Sequence, residues 1–562
     1  MAKRTAARLL AETLDAHGVD LIFSVPGESY LAVTDALIDF PRIRLIVCRH
    51  EGGAGFMALA DAKLTQKPAT CFVSRGPGAT NVSIAIHTAR QDAAPVVFFI
   101  GQIERKDFGR QALQEVDYAK TFSDMAKLVI DVRDGRLLSD AAARAYHVAR
   151  AGTPGPVVVV LPEDMLNDDT EGVPVCGPRA LAGAAPRADD LAKASEMLGQ
   201  AERPLLVLGG AVDHAKGAAA AIRLAEAWGM AACTVFQRPH QFPNGHAHYA
   251  GNLGVYAPGE QMKALREADL VLCLGARMTD LSSNGYSFPR APIPEQPLIH
   301  VYPDPDVIGR VWQATLGVAC DPTLFATLLA AQSPKPSDTR RAWVERLSAI
   351  NRRIKSYQPR QANDGVAFGV VVNELSRQLR PDAIVSSDAG NFSGWVARYM
   401  NFSPERPHVG ALSGAMGGGV PGAVAAGLRY PGRQVVGVAG DGGFLMTGNE
   451  LATAMLYDVP VKLFVSNNAS YGTIRLHQEL RHPGRVTSTE LRNPNFAKWA
   501  ESFGAKGLRI AKDADAAPVV SEALEHKGPV VVEVATSLYH LTPAATLDDL
   551  ARIAAKRAAR AQ

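Results

Sequence analysis

The chain has 562 residues, 47% hydrophobic and 20% charged, with 59 Lys and Arg against 56 Asp and Glu. That length allows three or four domains of about 150 residues with large cores, and the near-balanced charge excludes an electrostatic nucleic-acid footprint. No apolar run reaches the ~18 residues that would span a membrane, and residues 1–10 carry Lys3, Arg4 and Arg8 without a following apolar stretch, which excludes a secretion signal and leaves a cytoplasmic protein as the expectation.

The chain opens with a helix expected over 5–17. Strands follow at 21–25, 43–48, 69–74, 96–100 and 157–161, with helices over 51–64 and 79–90 between them. Each strand is a continuous apolar run rich in β-branched residues, as in parallel sheets covered on both faces. Residues 167–187 are polar and rich in Pro, Gly and Ala and read as a linker. A second unit begins near Arg187, with strands at 205–208, 231–235, 270–274 and 298–302. A break over 332–338, with Pro334, Lys335 and Pro336, leads to a third unit over 365–542, with strands at 383–387, 434–439, 461–466 and 530–534. The first and third units share size and pattern, which points to related folds although no repeat is visible. The fold class is therefore α/β, with three doubly wound parallel-sheet domains over 1–175, 188–335 and 360–545 and a tail over 546–562. The cysteines at 48, 71, 176, 233, 273 and 320 form no Cys-x-x-Cys pair. Those in apolar runs, such as Cys273, read as small buried hydrophobes of a reducing compartment. The basic run 556–560 reads as a solvated helix face.

The stretch Gly440-Asp441-Gly442-Gly443-Phe444 lies between a strand and a helix expected from about Thr447. Glycines let the backbone turn tightly against a ligand, and N–H groups at such a turn favour a phosphate. An acid there would repel a bare phosphate, so Asp441 implies an intervening divalent cation. Asn468 follows 27 residues later, in Asn467-Asn468-Ala469-Ser470-Tyr471-Gly472 after another strand. That spacing holds one helix and a return, which brings two strand ends together where open α/β sheets bind ligands. Asn468 then offers a neutral oxygen and Ser470 a backbone carbonyl, and Mg²⁺ suits so few protein oxygens. Either motif alone is a common turn; the pair at this separation is far more specific.

Together these motifs resemble the thiamine diphosphate signature of the pyruvate decarboxylase and acetolactate synthase superfamily. In matching order along 5–545, Arg49-His50-Glu51 and Gly76-Pro77-Gly78-Ala79-Thr80-Asn81 resemble its first-domain motifs. Gly275-Ala276-Arg277-Met278-Thr279-Asp280 resembles its middle-domain signature. Gly414-Ala415-Met416-Gly417-Gly418-Gly419-Val420-Pro421 resembles the segment that holds the thiazolium ring. Residues 74–81 and 113–117 look closest to the acetolactate synthase-like branch.

The resemblance implies thiamine diphosphate and Mg²⁺ as cofactors. It sets Glu51 against the pyrimidine N1′, Met416 as the wedge that bends the cofactor, and the Gly414 carbonyl as acceptor of the 4′-amino group. Asp441, Asn468 and Ser470 would hold Mg²⁺, with Gly390, Asn391, Gly440, Gly442, Gly443 and Tyr471 around the diphosphate. Glu28 and Gln114 fall near the reactive carbon. Ser29, Tyr30, Arg475 and His477, with Gln478, are substrate candidates, and Arg475 could pair a carboxylate. His87 reads as a packed helix residue. Partners would be 2-oxo acid or aldehyde substrates and further copies of the chain, as a homodimer or homotetramer with active sites at the subunit interface, with no nucleic acid and no membrane.

The leading activity is acetolactate synthase-like: decarboxylation of a 2-oxo acid and ligation of the enamine to a second carbonyl compound. Glu28 stands where decarboxylases carry an acid, which keeps open a non-ligating 2-oxo acid decarboxylase or aldehyde lyase. A non-catalytic cofactor-binding homologue would lack Glu51 or the metal ligands, and all are present. Residues 234–240 depart from the segment that lines FAD in biosynthetic acetolactate synthases, and 471–478 look closer to decarboxylases and lyases, so the sequence leaves FAD open.

Overall fold

The computed structural model describes residues 4–332 and 335–561. Residues 1–3 of the N-terminal stretch, Pro334 of the 332–338 break, and the side chains of residues 558 and 560 in the basic run lie outside the described residues. Three six-stranded parallel sheets form the chain. The first contains β1 (Leu21–Ser24), β2 (Arg44–Val47), β3 (Ala69–Val73), β4 (Val96–Gln102), β5 (Leu128–Asp131) and β6 (Val157–Pro162), in the order β2-β1-β3-β4-β6-β5. The second contains β7 (Pro204–Leu208), β8 (Ala231–Thr234), β9 (Tyr249–Asn252), β10 (Leu270–Leu274), β11 (Leu298–Tyr302) and β12 (Leu316–Ala319), in the order β12-β11-β10-β7-β8-β9. The third contains β13 (Ile384–Ser387), β14 (His408–Val409), β15 (Val435–Gly440), β16 (Lys462–Asn467), β17 (Lys506–Ile510) and β18 (Val530–Ala535), in the order β14-β13-β15-β16-β18-β17. Renumbered from its own first strand, the third sheet repeats the first sheet's order, so the shared size and pattern reflect a shared topology.

The chain divides into two compact units. One holds Met1–Ala182 with Ala411–Pro431 and Leu445–Val459; the other holds Gly183–Gly410, Gly432–Phe444 and Pro460–Gln562. In the first unit the helix Glu51–Thr65 is made mostly of small and apolar residues and is buried from Gly52 through Ala62. The helix Gly419–Arg429, also rich in Gly and Ala, packs on it, since small residues let helix axes approach closely. Arg429 closes this packing with forked bonds to Asp61 (2.6 and 3.0 Å) and Asp20 (2.5 and 2.9 Å). Burial pushes the Asp61 carboxyl above its ordinary value, against the pull of Arg429.

In the second unit the helix Asp338–Lys355 joins the central sheet. Trp343 donates to the Pro204 carbonyl at 3.1 Å, and Arg340 donates to carbonyls of Ala201 and Trp228. At its end Lys355 Nζ donates to the Met400 carbonyl at 2.7 Å. Burial pushes this amine down to about 7 from its ordinary 10.5. The unfolded chain then holds a proton that the folded chain has lost, so stability declines as pH falls from about 10 to about 7 and levels off below. Lys355→Met is expected to flatten that slope in thermal unfolding measured across the same range.

The tail over 546–562, read as a helix face at its basic run, contains the helix Leu547–Ala561. Its Leu547 and Leu550 join Leu476, Leu480 and Leu541 in a small apolar cluster on the helix Gly472–Arg481. The helix expected near Thr447 begins at Asp441, directly off β15, and is followed by a second one over Leu451–Leu456. No helix among the described residues is long and apolar enough to cross a membrane.

Candidate active site

In the first unit the sheet order reverses between β1 and β3, and the turns after these strands carry the predicted residues. Ligands favour that crevice. After β1, Glu28 is two-thirds exposed and pairs with Arg75 at 2.7 Å; Arg75 also pairs with Glu163 at 2.6 Å. After β3, Gly76 carries Gln114 against it, and Gln114 adopts a left-handed φ of 67°. Ser29 and Tyr30 are buried beneath that loop. Ser29 Oγ meets Ser74 Oγ at 3.0 Å. Tyr30 is 1% exposed, and its hydroxyl donates to the Val25 carbonyl at 2.5 Å. These two shape the loop from below. His87, read as packed, is exposed on the helix Pro77–Asp92 because it faces away from the core side held by Ile86 and Ala89.

Glu51 opens its helix, with His50 as the capping residue accepting from Gly52 N at 3.0 Å. The Asn81 amide donates to its carboxylate at 2.9 Å. Sequence reasoning missed Glu450, which fixes this turn from beneath. It is 0% exposed and accepts from Arg49 N (3.0 Å), His50 N (3.0 Å) and Thr453 Oγ1 (2.6 Å). A Cβ on Gly53 would collide with the Glu450 carboxylate, so only glycine fits there. The signal available was an acid amid apolar residues in 444–456, without a basic residue at helical spacing.

The segment with Gly414 and Met416 docks on the helix Pro77–Asp92. Ser413 Oγ meets Thr88 Oγ1 at 3.1 Å, and Leu412 N donates to Asp92 at 2.7 Å. Thr88 lies seven residues beyond Asn81, the partner of Glu51, which is about 10 Å along a helix. Gly414 has a left-handed φ of 68° and open space around it, and Met416 is half-buried. Thr447 donates to the Gly417 carbonyl at 2.7 Å, fixing the glycine run.

The second unit holds the other cluster. Its third sheet reverses order between β13 and β15. Gly440 at the end of β15 pairs with Ser466 of β16, so Asp441 and Asn468 leave neighbouring strand ends. Asp441 is 3% exposed. Burial pushes its carboxyl above the ordinary value, opposed by donors from Asn493, Gly442, Ser470 and Ala469. Gly443 is required because a Cβ there would collide with the Asp388 carboxylate. Asn468 Oδ1 accepts from Ser470 N at 3.1 Å, and Ala469 takes a left-handed φ of 52° to make that turn. Gly390, with φ 155°, and Asn391 follow β13; the Asn391 amide donates to the Gly472 carbonyl at 2.9 Å, one residue past Tyr471, which starts the next helix.

The arrangement fits a metal-bridged diphosphate. Ser470 Oγ and Asn493 Oδ1 are buried without a hydrogen-bond partner, and such orphans call for an unseen ligand or water. Among the described residues no three His, Cys, Asp or Glu converge on a metal site, so a cation here would take one carboxylate and neutral oxygens, a set suited to Mg²⁺ with diphosphate. The substrate candidates on the next helix are differently placed. Arg475 is paired with Glu479 at 2.8 Å, His477 is exposed, and Gln478 donates to the Thr487 carbonyl at 2.8 Å.

The central sheet's reversal lies between β7 and β10. The turn after β7 donates its own amides inward: Gly209 N to Leu274, Ala211 N to Gly275, Val212 N to Gly209 and Asp213 N to Gly210. Gln241 donates to the Gly209 carbonyl at 2.8 Å, and Arg238 and His240 both bind Asp213. A dinucleotide pyrophosphate binds through such amides, and these four are already bonded within the protein.

Comparison with known proteins finds matches along most of the chain. Residues 4–121, 191–329 and 388–534 match the N-terminal TPP binding, central and C-terminal TPP binding domains of thiamine pyrophosphate enzymes. The chain is 30% identical to the acetolactate synthase large subunit of Corynebacterium glutamicum over 94% of this chain and 86% of that protein. It is 31% identical to an acetolactate synthase of Mycobacterium bovis over 94% and 87%. It is 30% identical over 95% and 92% to YdaP of Bacillus subtilis, a protein named for thiamine pyrophosphate rather than for a reaction. Three parallel α/β domains, the order of the motifs and these relatives lead to one conclusion: the chain belongs to the thiamine diphosphate-dependent enzymes, in their acetolactate synthase-like branch.

Proposed function

We propose that this enzyme decarboxylates a 2-oxo acid and ligates the product to a second carbonyl compound, using thiamine diphosphate and Mg²⁺. The observation that carries the reading is the buried Asp441 beside the Asn468–Ser470 turn, at two paired strand ends. Bound thiamine diphosphate would supply a nucleophilic carbon and a sink for the electrons of the bond beside the carbonyl. Asp441, Asn468 and the Ser470 carbonyl would hold the metal, and Gly390, Asn391, Gly442 and Gly443 would line the diphosphate. Glu51 would hold a proton at the pyrimidine nitrogen, with Asn81 orienting its carboxylate. Met416 and the Gly414 carbonyl would fix the bend of the cofactor.

Asn81, the partner of Glu51, and Thr88, the docking point of Ser413, lie at different levels of one helix, which supports a site completed by a second copy of the chain. Exposed Leu445, Met446 and Leu456 offer an apolar face for that contact, since monomers rarely leave such patches open. A homodimer or homotetramer in the cytoplasm is the assembly proposed, and the six free cysteines suit a reducing compartment. The occupied amides of the turn after β7 favour an enzyme without flavin; purified protein is expected to lack flavin absorbance and to bind no FAD in titration.

Glu28, exposed on its loop, supports a second reading, decarboxylation or aldehyde lysis without ligation. Incubation with thiamine diphosphate, Mg²⁺ and a panel of 2-oxo acids separates the two. Hydroxyketone product is expected; aldehyde alone would replace the first reading with the second.

A further inference from the structure

We infer that Asn493 is a positioning residue that decides which oxygen of Asp441 faces the metal; the inference rests on the metal reading of that turn. The Asn493 Nδ2 donates twice, to Asp441 Oδ2 at 2.7 Å and to Asn467 Oδ1 at 2.9 Å. One amide thus ties the end of β15 to the end of β16. Its two hydrogens are both used, as a primary amide allows and a carboxylate would not.

The polarity of this link is set further back. Glu533 on β18 is buried and accepts from Asn467 Nδ2 at 3.2 Å and from Phe496 N at 2.9 Å. A carboxylate only accepts, so Asn467 must turn its nitrogen toward Glu533 and its oxygen toward Asn493. Asn493 must then present its nitrogen to both neighbours. Four side chains, Glu533, Asn467, Asn493 and Asp441, therefore form a directed chain of hydrogen bonds. At its end Asp441 Oδ2 is engaged by the Asn493 amide at 2.7 Å, while Oδ1 lies on the side of its own turn, where it accepts from the adjacent Gly442 N at 3.0 Å. The backbone holds Asn493 in place. Leu491 N donates to the Ala469 carbonyl at 2.8 Å, Tyr471 N donates to the Thr489 carbonyl at 2.9 Å, and Ser470 pairs with Glu490. Partners that orient a metal ligand typically change affinity by about 10–100-fold.

The test titrates Mg²⁺ into metal-free enzyme with saturating thiamine diphosphate, by calorimetry, for wild type, Asn493→Ala and Glu533→Gln. Asn493→Ala is expected to weaken Mg²⁺ by about 10–100-fold. Glu533→Gln keeps the volume but removes the fixed polarity, and is expected to weaken Mg²⁺ in the same direction by less. A purely structural role would lower the melting temperature or kcat and leave the Mg²⁺ midpoint unmoved. Wild type that binds Mg²⁺ beside folded variants with the same affinity would overturn this inference alone. Wild type that takes up no Mg²⁺ with thiamine diphosphate would overturn the metal reading and this inference with it. If Asn493→Ala does not fold, Glu533→Gln decides: unchanged Mg²⁺ affinity there sinks the directed chain.

Discussion

Glu51→Gln is expected to lower turnover by about 10²–10⁴-fold, the range for losing a positioned acid–base group, while thiamine diphosphate still binds. Glutamine fills the same volume and its oxygen still accepts from Asn81, so the bond seen at 2.9 Å survives. The Glu450 bonds to Arg49 N and His50 N also remain, so the helix start keeps its place. What disappears is the carboxylate's capacity to hold or release a proton. Single-turnover assays beside calorimetric binding of thiamine diphosphate with Mg²⁺ check this. Undiminished turnover in Glu51→Gln would remove Glu51 from the mechanism.

The second large effect concerns stability. Glu450→Ala leaves the N–H groups of Arg49 and His50 without their acceptor. Each unsatisfied donor costs about 1–3 kcal/mol where water cannot reach it, so a loss of up to about 6 kcal/mol is expected for the two, seen as a lower thermal midpoint and faster exchange of the two amides. Glu450→Gln is expected to stay within about 1 kcal/mol, because one oxygen can still take both donors and the new amide can face Thr453. Burial pushes the Glu450 carboxyl above its ordinary 4.5, against bonds from Thr453, Arg49 and His50. A carboxyl raised in the folded state favours folding most below pH 4.5, and that benefit is lost as pH rises through the raised value. Glu450→Gln should remove this slope; equal pH profiles in the two proteins would refute it.

Interior strands were legible because they are apolar on both faces. β10 and β11 run over the predicted residues, and β3, β4 and β6 differ by one or two positions. The strands that sequence reading missed are β5, β9, β12, β14 and β17, and all five lie at sheet edges. An edge strand is covered on fewer sides, and its pattern shows this: β12 alternates buried and exposed, and β17 is mostly half-buried. Such short segments lack a continuous apolar run. The neighbouring strand ends before Asp441 and Asn468 could be paired from the sequence because the residues are contiguous in two motifs. Glu450 and Asn493 were not legible, because their roles come from partners 400 and 52 residues away in sequence. The burial of Tyr30 and Ser29 was hidden for a similar reason: neighbours in sequence to an exposed Glu28, they turn inward on a short helical turn.

Two stretches of the third domain, Ala411–Pro431 and Leu445–Val459, belong to the compact unit built on the first. A fragment cut after Ala182 would therefore lose the helix Gly419–Arg429 that packs on the buried helix Glu51–Thr65. The modular look of the chain is thus misleading for dissection. Domain-by-domain expression would yield an aggregating piece, and proteases should nick loops without releasing a free-standing amino-terminal body.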